Sequence, residues 1–445
     1  MQETVYDEKG NVVKQITYNK DDPTSKLYSE SKRDDNGIVT ADVDESGRYN
    51  SAKYTYDHNG QLTVQADGKG NKTSFGYNNG ELVSVSGSTD GEESTNTMQY
   101  TAGLLTKTSN GETEYNYTYD GWGRITKVEI AGNKYLDVAH ESDLKSVTTL
   151  ASGEQFATQT DKYGKTIYQI AIYTNGETES VVNEYDPETS RLRETTIDIN
   201  GREAYNITYE YDKVNGKLSS FDRCGDYSLG KNNSYTAEGE LQSTSYALDR
   251  QKLNYTYETD VALDKRSSKV VLPFEVEQNA LCDGLGRTKQ IALGKNLVKD
   301  IYYAKYGDHA TNRVNSVWYG VNGIRKDNLK YAYDKAGNIT TVTENGSVIA
   351  RYVYDGLNRL VRENSVFGKI TYQYDNAGNI LCKTVDGKKY NYSYPASGWK
   401  DQLLAYNDET FEYDVLGNPI VYRDRTLAWQ GRRLTSYAKD KNKNR

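Results

Sequence analysis

The stretch 331–380 decides the fold, because it contains one short motif three times. The motif reads Tyr-Ala-Tyr-Asp-Lys-Ala-Gly-Asn-Ile at 331–339, Tyr-Val-Tyr-Asp-Gly-Leu-Asn-Arg-Leu at 352–360 and Tyr-Gln-Tyr-Asp-Asn-Ala-Gly-Asn-Ile at 372–380. The aspartates of the three copies are 21 and 20 positions apart. Self-similarity at a short fixed period indicates a repeat architecture in which each copy is one supersecondary unit.

The same motif recurs along nearly the whole chain and is most eroded at about 258–330. In each copy the tyrosine, the aspartate after it and the glycine three positions later are predicted to form a structural turn. These repeat-turn residues are Tyr6, Asp7, Gly10, Tyr56, Asp57, Gly60, Tyr119, Asp120, Gly123, Tyr333, Asp334, Gly337, Tyr354, Asp355, Tyr374, Asp375, Gly378, Tyr413, Asp414 and Gly417.

Each part of the motif has a mechanical interpretation. In Tyr-x-Tyr both rings lie on one face of a strand, because the side-chain period of a strand is two. An aspartate at the start of a type I turn accepts a backbone N–H, and a glycine three positions later can adopt the left-handed conformation of a bulged hairpin. A second turn closes each unit and is often Asn-Gly or Asp-Gly, as at 345–346 and 386–387. One unit of about 20 residues therefore predicts a β-hairpin.

The predicted fold class is all-β, a long antiparallel strip of hairpins with roughly 35–40 strands. So long a sheet must coil rather than stay flat, which predicts a spiral or barrel-like wall with two open edges. A β-propeller or a stack of small sandwiches is the alternative. A propeller blade needs about 40–50 residues, so the period near 20 favours the continuous coiled strip.

The composition fits a sheet with one face that is partly exposed to solvent. The chain has 41 Tyr but only 6 Phe, and its mean hydropathy is −0.86. Tyrosine can bury its ring while its hydroxyl keeps a polar partner. The net charge of −8 argues against nucleic acid as a partner, and no apolar run is long enough for a membrane span. The three cysteines have no paired spacing, so neither a disulfide framework nor a zinc site is indicated.

No catalytic, cofactor-binding or metal site is predicted, and the chain is expected not to be an enzyme. The turn role explains the many aspartates, and His58, His140 and His309 are isolated along the chain. No nucleophile elbow or phosphate-binding loop occurs. One binding chemistry stays open, because exposed tyrosines and tryptophans could stack on sugar rings. The favoured interpretation of the tryptophans is cross-strand packing. They are Trp122, Trp318, Trp399 and Trp429.

The pattern Tyr-Asp-x-x-Gly-Asn/Arg-Ile/Leu, clearest at 333–339, 354–360 and 374–380, resembles the YD-repeat, or RHS-repeat, family. That family includes bacterial RHS and wall-associated proteins, the C components of insecticidal toxin complexes and the extracellular part of animal teneurins. The resemblance spans about 1–437. It implies a large hollow β-shell built from a spiralling strip of hairpins. In bacterial polymorphic toxins the resemblance implies that this shell encloses a variable C-terminal toxin.

The family's core domain, which follows the repeats and in many members cleaves the chain, carries aspartates in an Asp-Pro-x-Gly context. The pairs Asp22-Pro23 and Asp186-Pro187 lack the glycine at the required place. We therefore expect 1–437 to be a shell segment, 438–445 to be a basic flexible tail, and the chain to be a fragment of a larger protein without its core and toxin domains. The resemblance does not extend autoproteolysis or toxicity to this segment.

Two functions follow from these observations. The first is a wall around a C-terminal toxin cargo, with the rest of the same polypeptide as its partner and a secreted or cell-surface location implied by the resemblance. The second is a surface-exposed array that adheres to carbohydrate or to a protein of another cell. The first predicts a concave inner surface and a toxin encoded further along the gene. The second predicts binding by the isolated chain.

Overall fold

The computed structural model describes residues 2–22, 24–43, 50–89, 92–225, 228–248, 251–260, 267–272 and 276–439. Regular structure in these ranges is β-strand, and forty strands are present there. The described part of the chain contains no helix of the length and apolar character that crossing a bilayer requires. The predicted all-β class is confirmed, and the number of strands lies at the top of the expected range.

The chain divides into two units, of which unit 1 comprises 1–96 and 255–389 and unit 2 comprises 97–254 and 390–445. Unit 1 begins with β1 (Gln2–Tyr6), β2 (Val12–Tyr18), β3 (Lys26–Arg33), β4 (Val39–Val43), β5 (Asn50–Tyr56), β6 (Leu62–Asp67), β7 (Lys72–Asn78) and β8 (Glu81–Thr89). Strand β9 (Glu92–Thr101) leads from the first stretch of unit 1 into unit 2.

The first stretch of unit 2 contains β10 (Leu104–Ser109), β11 (Glu114–Tyr119), β12 (Ile125–Ile130), β13 (Asn133–Ser142), β14 (Lys145–Leu150), β15 (Gln155–Thr160), β16 (Thr166–Ile172), β17 (Thr178–Tyr185), β18 (Leu192–Ile199), β19 (Arg202–Tyr211), β20 (Leu218–Gly225), β21 (Leu229–Tyr235) and β22 (Leu241–Leu248). Strand β23 (Gln251–Asp260) leads back into unit 1.

The second stretch of unit 1 contains β24 (Ser267–Leu272), β25 (Val276–Cys282), β26 (Thr288–Leu293), β27 (Leu297–Tyr306), β28 (His309–Val321), β29 (Ile324–Tyr333), β30 (Ile339–Glu344), β31 (Ser347–Tyr354), β32 (Leu360–Ser365), β33 (Gly368–Tyr374) and β34 (Ile380–Val385). The last strands are β35 (Lys388–Ser393), β36 (Ala405–Tyr406), β37 (Glu409–Tyr413), β38 (Pro419–Tyr422), β39 (Arg425–Gln430) and β40 (Arg433–Lys439).

Neighbouring strands in the chain pair antiparallel, as β30, β31 and β32 do in the most regular stretch. The register shifts by one residue just before each repeat tyrosine, for example between Ala332 and Tyr333. This shift is the bulge that the glycine position of the motif predicts. Among the described pairings β1 pairs with β2 and β40 with β39, so the strip has two open edge strands.

The second turns divide into two kinds. Asn345-Gly346, Asp386-Gly387 and Asn200-Gly201 have positive φ at both residues, as a type I′ hairpin turn requires. At 110–111 and 175–176 only the glycine has positive φ. At 173–177 the backbone instead forms a turn like that of the repeat motif, with the Gly176 N–H bonded to the Tyr173 carbonyl at 2.9 Å.

Successive turns lie at opposite ends of the strands, because neighbouring strands run in opposite directions. The turns that follow Tyr-x-Tyr, such as 120–124 and 355–359, form one row, which we call the repeat row. The turns that connect one hairpin to the next, such as 67–71 and 110–113, lie at the other ends of the strands and form the return row. The repeat turn at 283–287, in the eroded part of the sequence, belongs to the repeat row.

The buried apolar core of the strip is thin. Its buried side chains along the strands are mostly small, such as Ala41, Ala310 and Ala350. Larger side chains are buried in unit 2, among them Ile130, Leu150 and Ile197 in its first stretch, and near its end Leu416 is 0% exposed and Phe411 6%.

The strip extends slightly further than the sequence predicts. The expected tail began at 438, but Ala438 and Lys439 form the end of β40. Residues 440–445 lie outside the described residues, as do 261–266 and 273–275 within the eroded stretch.

Candidate functional site

The repeat turn is held by its aspartate, as the copy at 375–379 illustrates. The Asp375 backbone N–H donates to the Asn379 carbonyl at 3.0 Å, and the Gly378 N–H donates to the Asp375 carbonyl at 3.2 Å. One carboxylate oxygen of Asp375 accepts the Asn379 backbone N–H at 2.8 Å, and the other accepts the Asn379 side-chain amide at 2.8 Å. Both oxygens are therefore engaged inside the turn.

All the predicted repeat aspartates make the same contact. In each, one carboxylate oxygen accepts the backbone N–H four positions later at 2.8–3.0 Å. These residues are Asp7, Asp57, Asp120, Asp334, Asp355, Asp375 and Asp414. The predicted glycines Gly10, Gly60, Gly123, Gly337, Gly378 and Gly417 have φ between 77° and 95°. In the copy at 355–359 Asn358 takes the glycine position with φ 61°.

Hydrogen bonding favours the ionised form of two of these turn carboxyls, Asp7 and Asp120. The Asn11 side-chain amide, followed by the Asn11 backbone N–H, holds the pKa of Asp7 below its ordinary value. The Arg124 backbone N–H does the same to the pKa of Asp120. A carboxylate stabilised in this way is a poor proton donor near neutral pH.

Five of the seven repeat tyrosines connect their hairpin to the one before it. The Tyr374 hydroxyl donates to the Leu360 carbonyl at 2.8 Å, and the Tyr354 hydroxyl donates to the Ile339 carbonyl at 3.0 Å. Tyr119, Tyr333 and Tyr413 make equivalent bonds to carbonyls 10–19 positions earlier. Burial raises the pKa of Tyr374 and Tyr354. Tyr6, in the first hairpin, is 59% exposed.

Arginine in the position after the turn adds a second connection. The Arg359 guanidinium donates to the Asp355 carboxylate at 2.8 Å and to the Asp375 carbonyl in the next turn at 2.9 Å. Its carbon lies 4.7 Å from the centre of the Tyr374 ring, a cation–π geometry. The motif marks this position as Asn or Arg, but its role between turns is visible only in the structure.

The residues considered for catalysis or metal binding do not form a reactive cluster. Within the described ranges no group of three or more His, Cys, Asp and Glu side chains could hold a metal ion. The three cysteines are free thiols. His309 is less isolated than its sequence position indicates, since its ring lies 4.4 Å from that of Tyr28 and its Nδ1 lies 2.9 Å from Asp308.

The tryptophans differ from one another in their surroundings. Trp122 lies at the tip of a repeat turn and is 84% exposed, so the expected cross-strand packing is wrong for this residue. Trp318 lies under the guanidinium of Arg325 at 4.8 Å. The Trp429 indole donates to the Pro419 carbonyl at 2.8 Å. Trp399 packs edge-on against Tyr135, with ring centres 6.4 Å apart.

A second feature of the site is a seam in each unit, where the return row of the earlier stretch contacts the repeat row of the later stretch. In unit 1 the Asn358 amide donates to the Asp67 carboxylate at 3.0 Å, and the Lys305 ammonium donates to Asp22 at 2.8 Å. Burial acts to raise the pKa of Asp67, but hydrogen bonds from Asn358 and Asn71 outweigh it and lower that pKa.

Two glycines allow the close backbone approach in the seam of unit 1. A Cβ on Gly356 would lie 2.7 Å from the Ser88 carbonyl oxygen. A Cβ on Gly284 would lie 2.4 Å from the Asp21 nitrogen. Neither glycine has a positive φ, so these positions need glycine for space and not for backbone conformation.

In unit 2 the seam has a buried anchor. The carboxylate of Glu154, which is 3% exposed, accepts the backbone N–H of Gly431. Burial acts to raise the pKa of Glu154, but hydrogen bonds from Ser152 and Gly431 outweigh it and lower that pKa. Beside this contact the Asn418 amide donates to the Gly431 carbonyl at 2.7 Å, and Leu416 is fully buried.

In both seams the partners are separated by a similar number of residues. In most of the ion pairs the earlier residue is acidic and the later one basic. The hydrogen-bonded seam partners are 253–291 positions apart. The earlier, return-row partner is acidic and the later, repeat-row partner basic in the pairs Asp21–Lys289, Asp22–Lys305, Glu112–Lys400 and Glu179–Arg433. The pair Lys69–Asp334, at 3.7 Å, has the reverse direction. Such contacts within each unit agree with the predicted coiling of the strip.

Comparison with known proteins supports the family resemblance. The profile of the family described as RHS Repeat matches residues 333–370, inside the most regular stretch of the chain. The tRNA3(Ser)-specific nuclease WapA of Bacillus spizizenii is 37% identical over 107 residues, which are 22% of this chain and 4% of that protein. The predicted resemblance to the YD/RHS-repeat family is therefore confirmed.

Two solved structures have a similar fold. A Photorhabdus luminescens Tc holotoxin pore matches with a TM-score of 0.58 at 12% identity, over 100% of this chain and 28% of that chain. A crystal structure of TcdB2-TccC3 matches with a TM-score of 0.62 at 12% identity, over 97% of this chain and 30% of that chain. At this identity the likeness concerns the fold alone. This chain spans less than a third of either solved chain.

Proposed function

We propose that this chain is a non-catalytic wall segment of an RHS/YD-repeat protein that encloses a C-terminal toxin cargo carried by the same polypeptide. The observation that carries the proposal is the pair of seams, in which the strip docks on its own earlier edge. In each seam a row of turns contacts a row of turns from a stretch 253–291 positions earlier. A strip whose successive stretches are joined in this way is suited to forming a continuous wall.

The chemistry of the turns favours a structural role over catalysis. Six of the seven repeat carboxylates use both oxygens for hydrogen bonds within the turn, as at Asp375. Hydrogen bonding also lowers the pKa of Asp7, Asp120 and Asp161. An acid–base catalyst needs a carboxyl whose pKa is moved toward the working pH, and these carboxyls are moved away from it.

The similar proteins support a toxin context. WapA is named as a nuclease, and one of the similar solved structures is described as a holotoxin. Because this chain corresponds to 4% of the nuclease, we propose that the matched part is wall and that any comparable activity lies elsewhere in a longer polypeptide. A secreted or cell-surface location belongs to the same proposal.

The test is limited proteolysis of the complete polypeptide that the gene encodes. We expect the part that follows the repeats to resist protease while the wall is folded, and to become sensitive under conditions that melt the wall. A complete polypeptide with no domain after the repeats would contradict the proposal. So would a following domain that is digested at the same rate with the wall folded or melted.

A binding assay on the isolated chain distinguishes carbohydrate adhesion from the proposed wall function. The proposed wall function predicts no saturable binding of the chain to bacterial wall polysaccharides. Saturable binding that is lost in Trp122→Ala would favour adhesion, because Trp122 is the 84% exposed aromatic at a turn tip.

A further inference from the structure

The seam of unit 2 contains a cavity of about 420 Å³. Its walls come from both stretches of the unit, since Ile130, Tyr135 and Ala151 belong to the earlier stretch and Trp399 and Asp414 to the later one. The cavity therefore forms only where the later stretch is docked on the earlier one.

Two aromatic rings form a corner in this cavity. The ring planes of Trp399 and Tyr135 are 84° apart and the ring centres 6.4 Å apart. The Trp399 ring is fixed in its position, because its indole N–H donates to the Tyr115 hydroxyl and its edge packs on Gly417, where a Cβ would lie 2.7 Å from a ring atom. A ligand at this corner would not have to order the rings, which lowers the entropic cost of binding.

The chain does not supply a cation to this corner. Elsewhere a basic side chain commonly lies over an aromatic ring, as the Arg359 guanidinium does over Tyr374 at 4.7 Å. Among the described residues no lysine or arginine lies over either ring of the corner. Lys134 lines the cavity, but its ammonium binds the Asp137 carboxylate at 3.0 Å. Both rings are thus available to a cation from outside the chain.

The carboxylate at the cavity wall has no cationic partner either. In the turns at 120–124 and 355–359 the residue after the turn is an arginine that pairs with the turn aspartate. In the turn 414–418 that residue is Asn418, whose uncharged amide donates to Asp414 at 2.8 Å. No ion pair involves Asp414 in the part of the chain that the structure describes. Its negative charge therefore remains uncompensated beside the two rings.

The remaining walls favour an alkylated ammonium over an inorganic cation. Ile130, Ala151 and Val415 present apolar atoms to the cavity. An inorganic cation would lose hydration there without gaining the several oxygen ligands that it needs. A trimethylammonium group covers its charge with methyl groups, and aromatic rings are the usual means of recognising it.

We propose that the corner of Trp399 and Tyr135 binds a small quaternary ammonium molecule, with Asp414 as its counter-charge. Two rings and one carboxylate predict weak binding, in the millimolar range. Because the walls belong to both stretches, the bound cation also stabilises the docked seam of unit 2. This binding goes beyond the proposed wall function and does not depend on it.

The test is isothermal titration calorimetry of the unsubstituted chain, at matched ionic strength, with choline and with its neutral carbon isostere. In the isostere a tert-butyl group replaces the trimethylammonium group. We expect saturable binding of choline and about tenfold weaker binding of the isostere. Equal affinity for the two molecules would overturn the proposal, because the cavity would then select shape and not charge. Absence of saturable choline binding would overturn it as well.

Tyr135→Leu is the matched variant, because it removes one ring and keeps an apolar wall. We expect it to bind choline about tenfold more weakly, with the fold checked by circular dichroism. Tyr135→Phe keeps the ring and should bind choline as the unsubstituted chain does. Trp122→Leu removes a tryptophan that is 84% exposed and does not line the cavity, so it should also leave the affinity unchanged. Full affinity in Tyr135→Leu would contradict the assignment.

Two further outcomes are distinguishable. A methyl glycoside that binds more tightly than choline would overturn the proposal and assign the cavity to sugar. Protease protection of a C-terminal cargo is measured separately. If the cargo is protected and choline does not bind, the inference about the corner fails and the proposed function stands.

Discussion

The two seams use the same repeat turn in different ways. In unit 1 the turn at 355–359 meets the earlier stretch through polar contacts at the surface, among them Asn358 to Asp67 and Gly356 to Thr89. In unit 2 the turn at 414–418 is part of a buried cluster, in which Leu416 is 0% exposed and Asn418 3%. One motif therefore serves as a solvated contact in one place and as the centre of a core in the other.

The difference indicates what stabilises each seam. Exposed polar and ionic contacts contribute about 0–1 kcal/mol each, so the seam of unit 1 depends on many contacts in register and on backbone approach at Gly284 and Gly356. The part of unit 2 around its seam also buries the apolar side chains of Leu416 and Phe411, and burial of one such side chain contributes about 1.5–3 kcal/mol. Single substitutions should therefore affect unit 2 more than unit 1.

The largest expected effect is that of Leu416→Ala. Removing a fully buried leucine leaves a cavity, and we expect the free energy of unfolding to fall by about 2–5 kcal/mol. Val415→Ala is the matched control, because Val415 is adjacent and 64% exposed; its change should stay within about 0.5 kcal/mol. Urea melts followed by Trp399 and Trp429 fluorescence in unit 2 measure both. Equal changes in the two variants would show that unit 2 has no buried anchor.

The next effect is that of Gly356→Ala in the seam of unit 1. The added Cβ would lie 2.7 Å from the Ser88 carbonyl oxygen, and overpacking of this kind costs about 1–3 kcal/mol. Gly121→Ala occupies the same turn position in open space and should be neutral or slightly stabilising in this chain. Thermal melts of both variants provide the comparison. A neutral Gly356→Ala would mean that the edge at Ser88 is not docked.

Tyr374→Phe should have a smaller effect. It removes the hydroxyl that donates to the Leu360 carbonyl at 2.8 Å, and the loss of one hydrogen bond costs about 0.5–1.5 kcal/mol. Tyr6→Phe is the control, because Tyr6 is 59% exposed at the first hairpin. Chemical denaturation of the two variants distinguishes them. If both variants unfold at the same urea concentration, the tyrosine link between hairpins contributes nothing.

The smallest expected effect is the loss of seam stability in acid. The Lys305 ammonium lowers the pKa of Asp22, and the Gln430 amide lowers the pKa of Glu177. A carboxyl with a lowered folded pKa stabilises the protein above its unfolded pKa, which is about 4 for these side chains. That contribution disappears as the pH falls through the folded value.

Melting temperature measured from about pH 6 to pH 3 should therefore fall less steeply in Asp22→Asn/Glu177→Gln than in the unsubstituted chain. Asp143→Asn is the control, since Asp143 lies outside the seams and its side chain is 94% exposed. Identical pH profiles for the double variant and the unsubstituted chain would show that the two seam carboxyls do not contribute to the loss of stability in acid.

The hairpins were predictable from the sequence because their determinants are local. The aspartate, the glycine and the tyrosine of a copy such as 372–380 lie within nine positions, and each has a separate physical reason. The hydroxyl partners of the tyrosines lie one hairpin away and are carbonyls, which carry no sequence signal. The structure was needed to find them.

The seams were not predictable, because their partners are 253–291 positions apart and repeat no motif. One signal was present in the sequence. Among the repeat-row turns, glycine directly follows the aspartate at Gly284 and Gly356, where a docked backbone leaves no space for a Cβ, and at Gly121, where the space is open. The exposure of Trp122 was likewise hidden, because an aromatic residue in a turn can be either packed or free.

Zero-length carbodiimide cross-linking of the unsubstituted chain, read by mass spectrometry, tests the central claim most directly. The account predicts intramolecular links Lys289–Asp21, Lys305–Asp22 and Lys400–Glu112, whose charged atoms lie 2.8–3.2 Å apart. Mixing isotope-labelled and unlabelled chains excludes links between molecules. The ion pair Lys134–Asp137 within β13, at 3.0 Å, is the positive control. If the link within β13 forms and the three seam links do not, the later stretch of each unit does not dock on the earlier stretch.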